Sequence, residues 1–168
     1  IPFNNSTLIE NAIEAIQPQV DEIIISANQD LLRLSKLGFP VIEDQANNQG
    51  PLIGIVSVAG HISTTNVVIT PCDVINIPET YVQEMIFALE STQSDIVVDK
   101  TNRGAQHLNC AFKLSEIDDL KRIIEKGTLR VSAWQAKLKT SYVEFDKDQI
   151  DVFKNINEPQ DIPEAKQH

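Results

Sequence analysis

The stretch Asn66-Val67-Val68-Ile69-Thr70-Pro71-Cys72-Asp73-Val74 is an apolar, β-branched run that ends in a lone carboxylate. An α/β sheet presents a metal ligand in this way, because ligands occupy the crevice beyond the carboxyl ends of parallel strands. Pro71 fixes one backbone torsion and stiffens the exit from the strand. Asp73 is therefore a candidate ligand for Mg²⁺ beside a nucleotide's phosphates. Taken alone, it reads more simply as a turn aspartate capping the next helix, so the rest of the chain has to decide.

Upstream, Thr7-Leu8-Ile9-Glu10 fits a capping box. Leu8, Ile9, Ala12, Ile13 and Ile16 then fall on one helical face, which ends at Pro18. Glu22 to Ala27 reads as a short strand buried on both faces, followed by Asn28. A helix over Asp30 to Leu37 stops at Gly38, and Pro40-Val41-Ile42 forms a second strand leading into Glu43-Asp44. Gly50-Pro51-Leu52 opens a helix to about Ile62, with Pro where its missing N–H costs nothing.

Downstream, a helix is predicted from about Pro78 to Ser91 and a strand over Asp95 to Asp99. Gln106 to Lys113 and Thr140 to Asp146 read as extended, with helices from Ser115 to Lys126 and from Arg130 to Leu138 between them. A last strand spans Val152 to Ile156. Strand–helix alternation implies right-handed crossovers. The fold class is α/β: a mixed, mostly parallel sheet with helices on both faces and an antiparallel excursion late in the chain.

The bulk properties narrow the function. A chain of 168 residues with 42% hydrophobic content forms one domain, long enough to bury roughly 70% of its unfolded surface. It opens on Ile1 rather than Met, so earlier residues are expected. No apolar run approaches the ~20 residues of a membrane span, and no secretory signal is visible. Cys72 and Cys110 are the only cysteines, which suits a reducing, cytoplasmic location rather than a disulfide framework. Neither they nor the three histidines show zinc spacing. A net charge of −10 argues against nucleic acid as a partner. An acidic protein can still bind a nucleoside triphosphate through a divalent cation and backbone N–H groups.

Asn28, Asp44 and Asp73 each end one of three successive predicted strands. In a parallel sheet these ends share an edge, so the three side chains converge on one crevice. A carboxylate there can accept from guanine N1–H and N2–H₂ together, a donor pair that adenine lacks. Rejection of the wrong base is strong because the carboxylate would be left unsatisfied. Asp44 or Asn28 can serve the base or the ribose, while Asp73 is better placed for metal. Gly50 would let backbone approach the nucleotide closely, or simply start the helix. Cys72 is expected to pack inward, since alternate strand residues face opposite ways.

Five blocks carry a resemblance: Ile24-Ile25-Ser26-Ala27-Asn28, Val41-Ile42-Glu43-Asp44, Gly50-Pro51-Leu52-Ile53-Gly54-Ile55, Pro71-Cys72-Asp73 and Phe153-Lys154-Asn155-Ile156-Asn157-Glu158-Pro159. In order and spacing the chain resembles the molybdenum cofactor guanylyltransferases (MobA-type), over about residues 1 to 162. The resemblance implies a Rossmann-like nucleotidyltransferase fold and an enzyme that transfers GMP from GTP to molybdenum–molybdopterin, giving the guanine dinucleotide and pyrophosphate. It assigns Asn28, Asp44 and Asp73 to the nucleotide, Asp73 and Asn157 to Mg²⁺ (or Mn²⁺), and catalysis to Asp73. It also sets His107 and Arg130 toward the second substrate. The implied partners are GTP, the molybdopterin cofactor, and molybdoenzymes or cofactor-handling proteins, with no nucleic acid and no membrane.

Two departures are visible. The family's opening strand and Gly-rich loop, with their Arg-rich stretch and Lys, are not among residues 1–168. A single nucleotidyltransferase domain lacking them is expected to be inactive as it stands, unless the loop lies outside these residues. The family's proline after Pro-Cys-Asp-x is Ile75 here. Rival readings are a cytidylyltransferase of the same fold, a non-catalytic cofactor-delivery adaptor, and an unrelated doubly wound binding module.

Overall fold

The structure, a computed structural model, describes residues 2–3, 6–44, 50–145, 154–156 and 161. Strand β1 (Pro2–Phe3) pairs antiparallel with β2 (Ser6–Thr7) and leads into α1 (Leu8–Ile16). The Thr7 N–H and hydroxyl both donate to the Glu10 carboxylate, at 2.7 and 2.6 Å. The capping box predicted from spacing therefore forms, and these bonds hold the Glu10 carboxyl below its ordinary pKa.

Strand β3 (Ile25–Ala27) is shorter than its apolar run suggests and is not buried on both faces: Ile25 is buried, but Ser26 is exposed. It pairs in parallel with β4 (Val41–Glu43), with Ile25 opposite Val41 and Ala27 opposite Glu43. Between them, α2 (Leu31–Leu34) tightens into a 3₁₀ turn and stops at Gly38, whose φ of 85° suits glycine. Helix α3 (Pro51–Ala59) follows, with Pro51 in its first turn.

The second half builds the larger sheet. Strand β5 (Asn66–Ile69) is followed by β6 (Val74–Ile75), α4 (Tyr81–Ser91), β7 (Ile96–Thr101), β8 (Gly104–Lys113), α5 (Ile117–Glu125), α6 (Val131–Gln135), β9 (Thr140–Val143) and β10 (Lys154–Asn155). Four of these strands form a sheet in the order β5-β8-β7-β9. Strand β8 runs antiparallel to both of its neighbours, while β7 and β9 are parallel.

Period-2 alternation divides this sheet between two cores. Ile96, Val98, Cys110 and Phe112 face α3, α5 and α6, joined by Leu52, Leu120 and Trp134. Val97 and Ala111, one residue out of phase, face α4 through Tyr81, Met85 and Leu89. Helices therefore cover both faces of a mixed sheet, and the fold is α/β as the sequence predicts. The Phe112 and Trp134 rings meet edge-on with centroids 5.3 Å apart, which locks α6 to the sheet.

One feature departs from the simple parallel edge. Among the described residues, β3 and β4 form their own two-stranded sheet, and β5 bonds antiparallel to β8. Helix α3 joins the two sheets: Leu52 inserts beneath the larger one, while Gly54 lies against Ser26 and Asp44 beside the smaller.

Candidate active site

The parallel pairing of β3 and β4 carries their C-terminal residues to the same edge. Asn28 and Asp44 meet there through two hydrogen bonds of 3.1 Å: the Asn28 amide donates to Asp44 Oδ2, and the Asp44 N–H donates to Asn28 Oδ1. The Ser26 hydroxyl donates to the other carboxylate oxygen at 2.6 Å. Both oxygens of Asp44 are thus aimed by neighbours, and each keeps capacity for a further donor. A Cβ on Gly54 would sit 2.7 Å from Ser26 Oγ and 3.0 and 3.3 Å from the two Asp44 oxygens, so only glycine lets α3 approach the carboxylate this closely.

Asn28 and Asp44 come together as their places at strand ends predict, but the glycine set against them is Gly54, not Gly50. Gly50 has open space around it, the nearest atom to an added Cβ being Leu129 O at 3.9 Å; its φ of 97° is what requires glycine. Ser26 and Gly54 are absent from the sequence-derived set. Their only signal is presence in the quoted blocks, because a contact among positions 26, 44 and 54 is made by tertiary packing.

Asp73 lies in the turn between β5 and β6. Strand β6 pairs antiparallel with β10, Val74 opposite Asn155, and the Ile156 N–H donates to the Asp73 carbonyl at 2.7 Å. Asp73 Oδ1 is buried with no hydrogen-bond partner among the described residues. A buried carboxylate oxygen in that state is costly unless a cation or donor meets it. The described residues contain no cluster of three or more His, Cys, Asp or Glu that could hold a metal by themselves. A lone carboxylate instead fits Mg²⁺, which binds through one or two carboxylates plus substrate phosphates. Asn157, the other metal candidate, lies outside the described residues.

Cys72 departs from expectation. It is exposed rather than packed inward, because the chain has already left β5 at Ile69 and strand alternation no longer governs it. Local desolvation, and then the neighbouring Asp73 charge, push its thiol pKa up. It is therefore protonated at neutral pH and a poor nucleophile. Ile75, where the family has proline, is buried with Leu8 and Ile156 and sits opposite Lys154 in the β6–β10 pair.

His107 lies on an irregular part of β8. The register with β7 jumps from Val98 opposite Cys110 to Asp99 opposite Gln106, so His107, Leu108 and Asn109 bulge out. The Thr70 hydroxyl faces Asn109 Oδ1 at 3.4 Å, which sets the bulge beside the start of the Pro71-Cys72-Asp73 turn. Exposed His107 is gripped by buried Gln135 of α6, a residue the sequence does not flag. Arg130 is the exposed residue just before α6, next to Leu129, whose carbonyl neighbours Gly50 at the start of α3. An open cleft between α1 and the turn after α2, lined by Glu10, Ile13, Pro18, Leu37 and Phe39, contains none of the candidate residues.

Comparison with known proteins shows the family and the fold. Residues 1–139 match the family model of the MobA-like NTP transferase domain. A curated molybdenum cofactor guanylyltransferase of Shewanella baltica is 32% identical over 161 residues, covering 95% of this chain and 82% of that protein. The crystal structure of molybdopterin-guanine dinucleotide biosynthesis protein A from Archaeoglobus fulgidus superposes with a TM-score of 0.76 at 20% identity, covering 96% of this chain and 84% of that one. A Mycobacterium tuberculosis protein crystallised in complex with manganese gives 0.65 at 12% identity, covering 86% and 80%.

Proposed function

The chain belongs to the MobA-like NTP transferase domain family and is a nucleotidyltransferase of molybdenum cofactor biosynthesis; from that premise we propose that it transfers GMP from GTP to molybdenum–molybdopterin, releasing pyrophosphate. The observation that carries the choice of base is the Asn28–Asp44 pair. Its carboxylate is held from both sides and backed by Gly54. Such a fixed acceptor pair matches the N1–H and N2–H₂ donors of guanine and leaves cytosine, with one exocyclic amine, poorly matched.

Asp73 supplies the carboxylate for a divalent cation, and Asn157 is its proposed companion. The manganese complex of the Mycobacterium tuberculosis relative supports use of such an ion. When bound, the cation supplies neutralising charge to the phosphates. The chain's own part is positioning. Asn28 and Asp44 fix the nucleoside while Asp73 anchors the phosphate end. A phosphate oxygen of the pterin then attacks the α-phosphorus in line, and no protein nucleophile is needed. His107 and Arg130 face the second substrate in this reading. The 168 residues act as one domain, and the reaction takes place in the cytoplasm. No described helix is long and apolar enough to cross a membrane.

Thermal unfolding of the full-length chain with Mg·GTP against Mg·CTP tests the reading. A larger stabilisation by GTP is expected, and it should vanish in Asp44→Ala. An equal or larger shift with CTP would replace guanylyl by cytidylyl transfer.

A further inference from the structure

We propose that Gln135 is a positioning residue that holds His107 as its Nδ1–H tautomer, presenting Nε2 as a hydrogen-bond acceptor to the second substrate. The site assignment rests on the transferase reading above; the tautomer does not.

The two residues are joined by a pair of bonds. Gln135 Nε2 donates to the His107 carbonyl oxygen at 2.8 Å, and Gln135 Oε1 lies 2.6 Å from His107 Nδ1. The first bond settles the second. A backbone carbonyl can only accept, so the amide nitrogen must be the atom facing it, and the amide oxygen is left facing the ring. That oxygen can only accept, so Nδ1 must carry the proton. In the neutral ring Nε2 then holds the lone pair. Gln135 is buried, and its backbone carbonyl accepts from the Thr140 hydroxyl at 2.7 Å, so the amide stands on a fixed support.

Position gives this arrangement a purpose. His107 is exposed on the bulge of β8, and Asn109 of the same bulge contacts Thr70, one residue before the Pro71-Cys72-Asp73 turn. A regular strand would align Leu108 and His107 with the β7 ladder. The bulge re-aims them, as bulges beside active sites do. An acceptor nitrogen here selects an N–H or O–H donor on the incoming substrate, such as the pterin ring's amine or amide, rather than a bare phosphate oxygen.

The histidines number three, so long-range nitrogen–proton NMR with isotopically labelled histidine can resolve each ring in the full-length chain. The expected result is a dominant Nδ1–H form for His107, a shift toward Nε2–H in Gln135→Met, and retention of Nδ1–H in Gln135→Glu, which keeps an acceptor. With Mg·GTP and molybdenum–molybdopterin as substrates, Gln135→Met should raise KM for the pterin roughly tenfold, the loss of about one hydrogen bond. Its KM for GTP should not change, and Gln135→Glu should recover most of the pterin effect. A wild-type His107 found mainly as Nε2–H overturns the proposal without any variant. A shifted tautomer with unchanged pterin KM overturns the presentation of Nε2. Failure of the transferase reading is distinguishable, because the tautomer is read on the protein without substrate.

Discussion

Two adjacent side chains, Cys72 and Asp73, occupy the same turn and have opposite chemical prospects. The Cys72 thiol is exposed, with its pKa raised by desolvation and by the Asp73 charge, so it carries little thiolate at neutral pH. Asp73 presents a buried oxygen that nothing among the described residues satisfies. Asp73→Ala should lower kcat/KM of the full-length enzyme by at least a hundredfold, as loss of a charge-organising group does, while Cys72→Ala should remain within about threefold of wild type. Equal losses would contradict the assignment. Gly54 allows a second test. Its Ala variant places a methyl 2.7 Å from Ser26 Oγ and pushes on the Asp44 carboxylate. Overpacking of this kind costs about 1–3 kcal/mol, and stabilisation by Mg·GTP should fall with it. Adding Ser26→Ala removes the closest contact and should restore part of that response, as a double-mutant cycle would show. The meeting of Asn28 with Asp44 is legible in the sequence because both follow strands that pair in parallel, and Asp73 stands out as a candidate by its place after the β5 run. Ser26, Gly54 and Gln135 are not legible, since each acts through a residue distant in the chain: Gln135 finds His107 across 28 positions.

Among the elements, the pairing of β6 with β10 links the Asp73 turn to α1. Ile156 is almost wholly buried against Leu8 and Ile75, and its N–H holds the Asp73 carbonyl. Ile156→Ala keeps the N–H but empties the space between Leu8 and Ile75. It should cost about 2–4 kcal/mol in urea unfolding, and it should weaken Mg·GTP binding because β10 is less firmly seated beside the Asp73 turn. Thr7→Ala makes the contrast. It breaks the capping box of α1 at a cost of about 1 kcal/mol, and should leave nucleotide binding unchanged. If both variants affected binding alike, the turn would depend on general stability rather than on β10. The capping box is readable because its two residues are three apart and need nothing else. Strand β10 falls within the last strand predicted over Val152 to Ile156, but its partner β6 is too short, at two residues, to show a period. The antiparallel placement of β8 between β5 and β7 also escapes periodicity, which reports the faces of a strand but not its neighbours.

At the scale of the whole molecule, the four-stranded sheet lies between two helical layers, and this makes stability sensitive to base. Cys110 lies in the core under α3, α5 and α6, where burial pushes its thiol from 9.0 up to about 12. On the opposite face, Tyr81 donates to the Ile69 carbonyl at 3.3 Å. Its hydroxyl is raised well above 10.0 by burial first, and then by the charges of Cys110 and Asp99. Both groups are neutral when protonated, so as pH rises the unfolded chain releases these protons before the folded one does. Their stabilising effect is therefore complete below about pH 9 and is lost progressively as pH climbs through the folded-state values. Each group can contribute a slope of at most about 1.4 kcal/mol per pH unit in that window. Cys110→Val keeps the core filled and removes one of the two ionisations. In urea titrations between about pH 8 and pH 11 the variant should lose stability less steeply than wild type, with closely similar values at the neutral end. Superimposable alkaline limbs for the two proteins would show that the Cys110 thiol does not ionise earlier in the unfolded chain, and would place the alkaline sensitivity on Tyr81 and the rest of the second core.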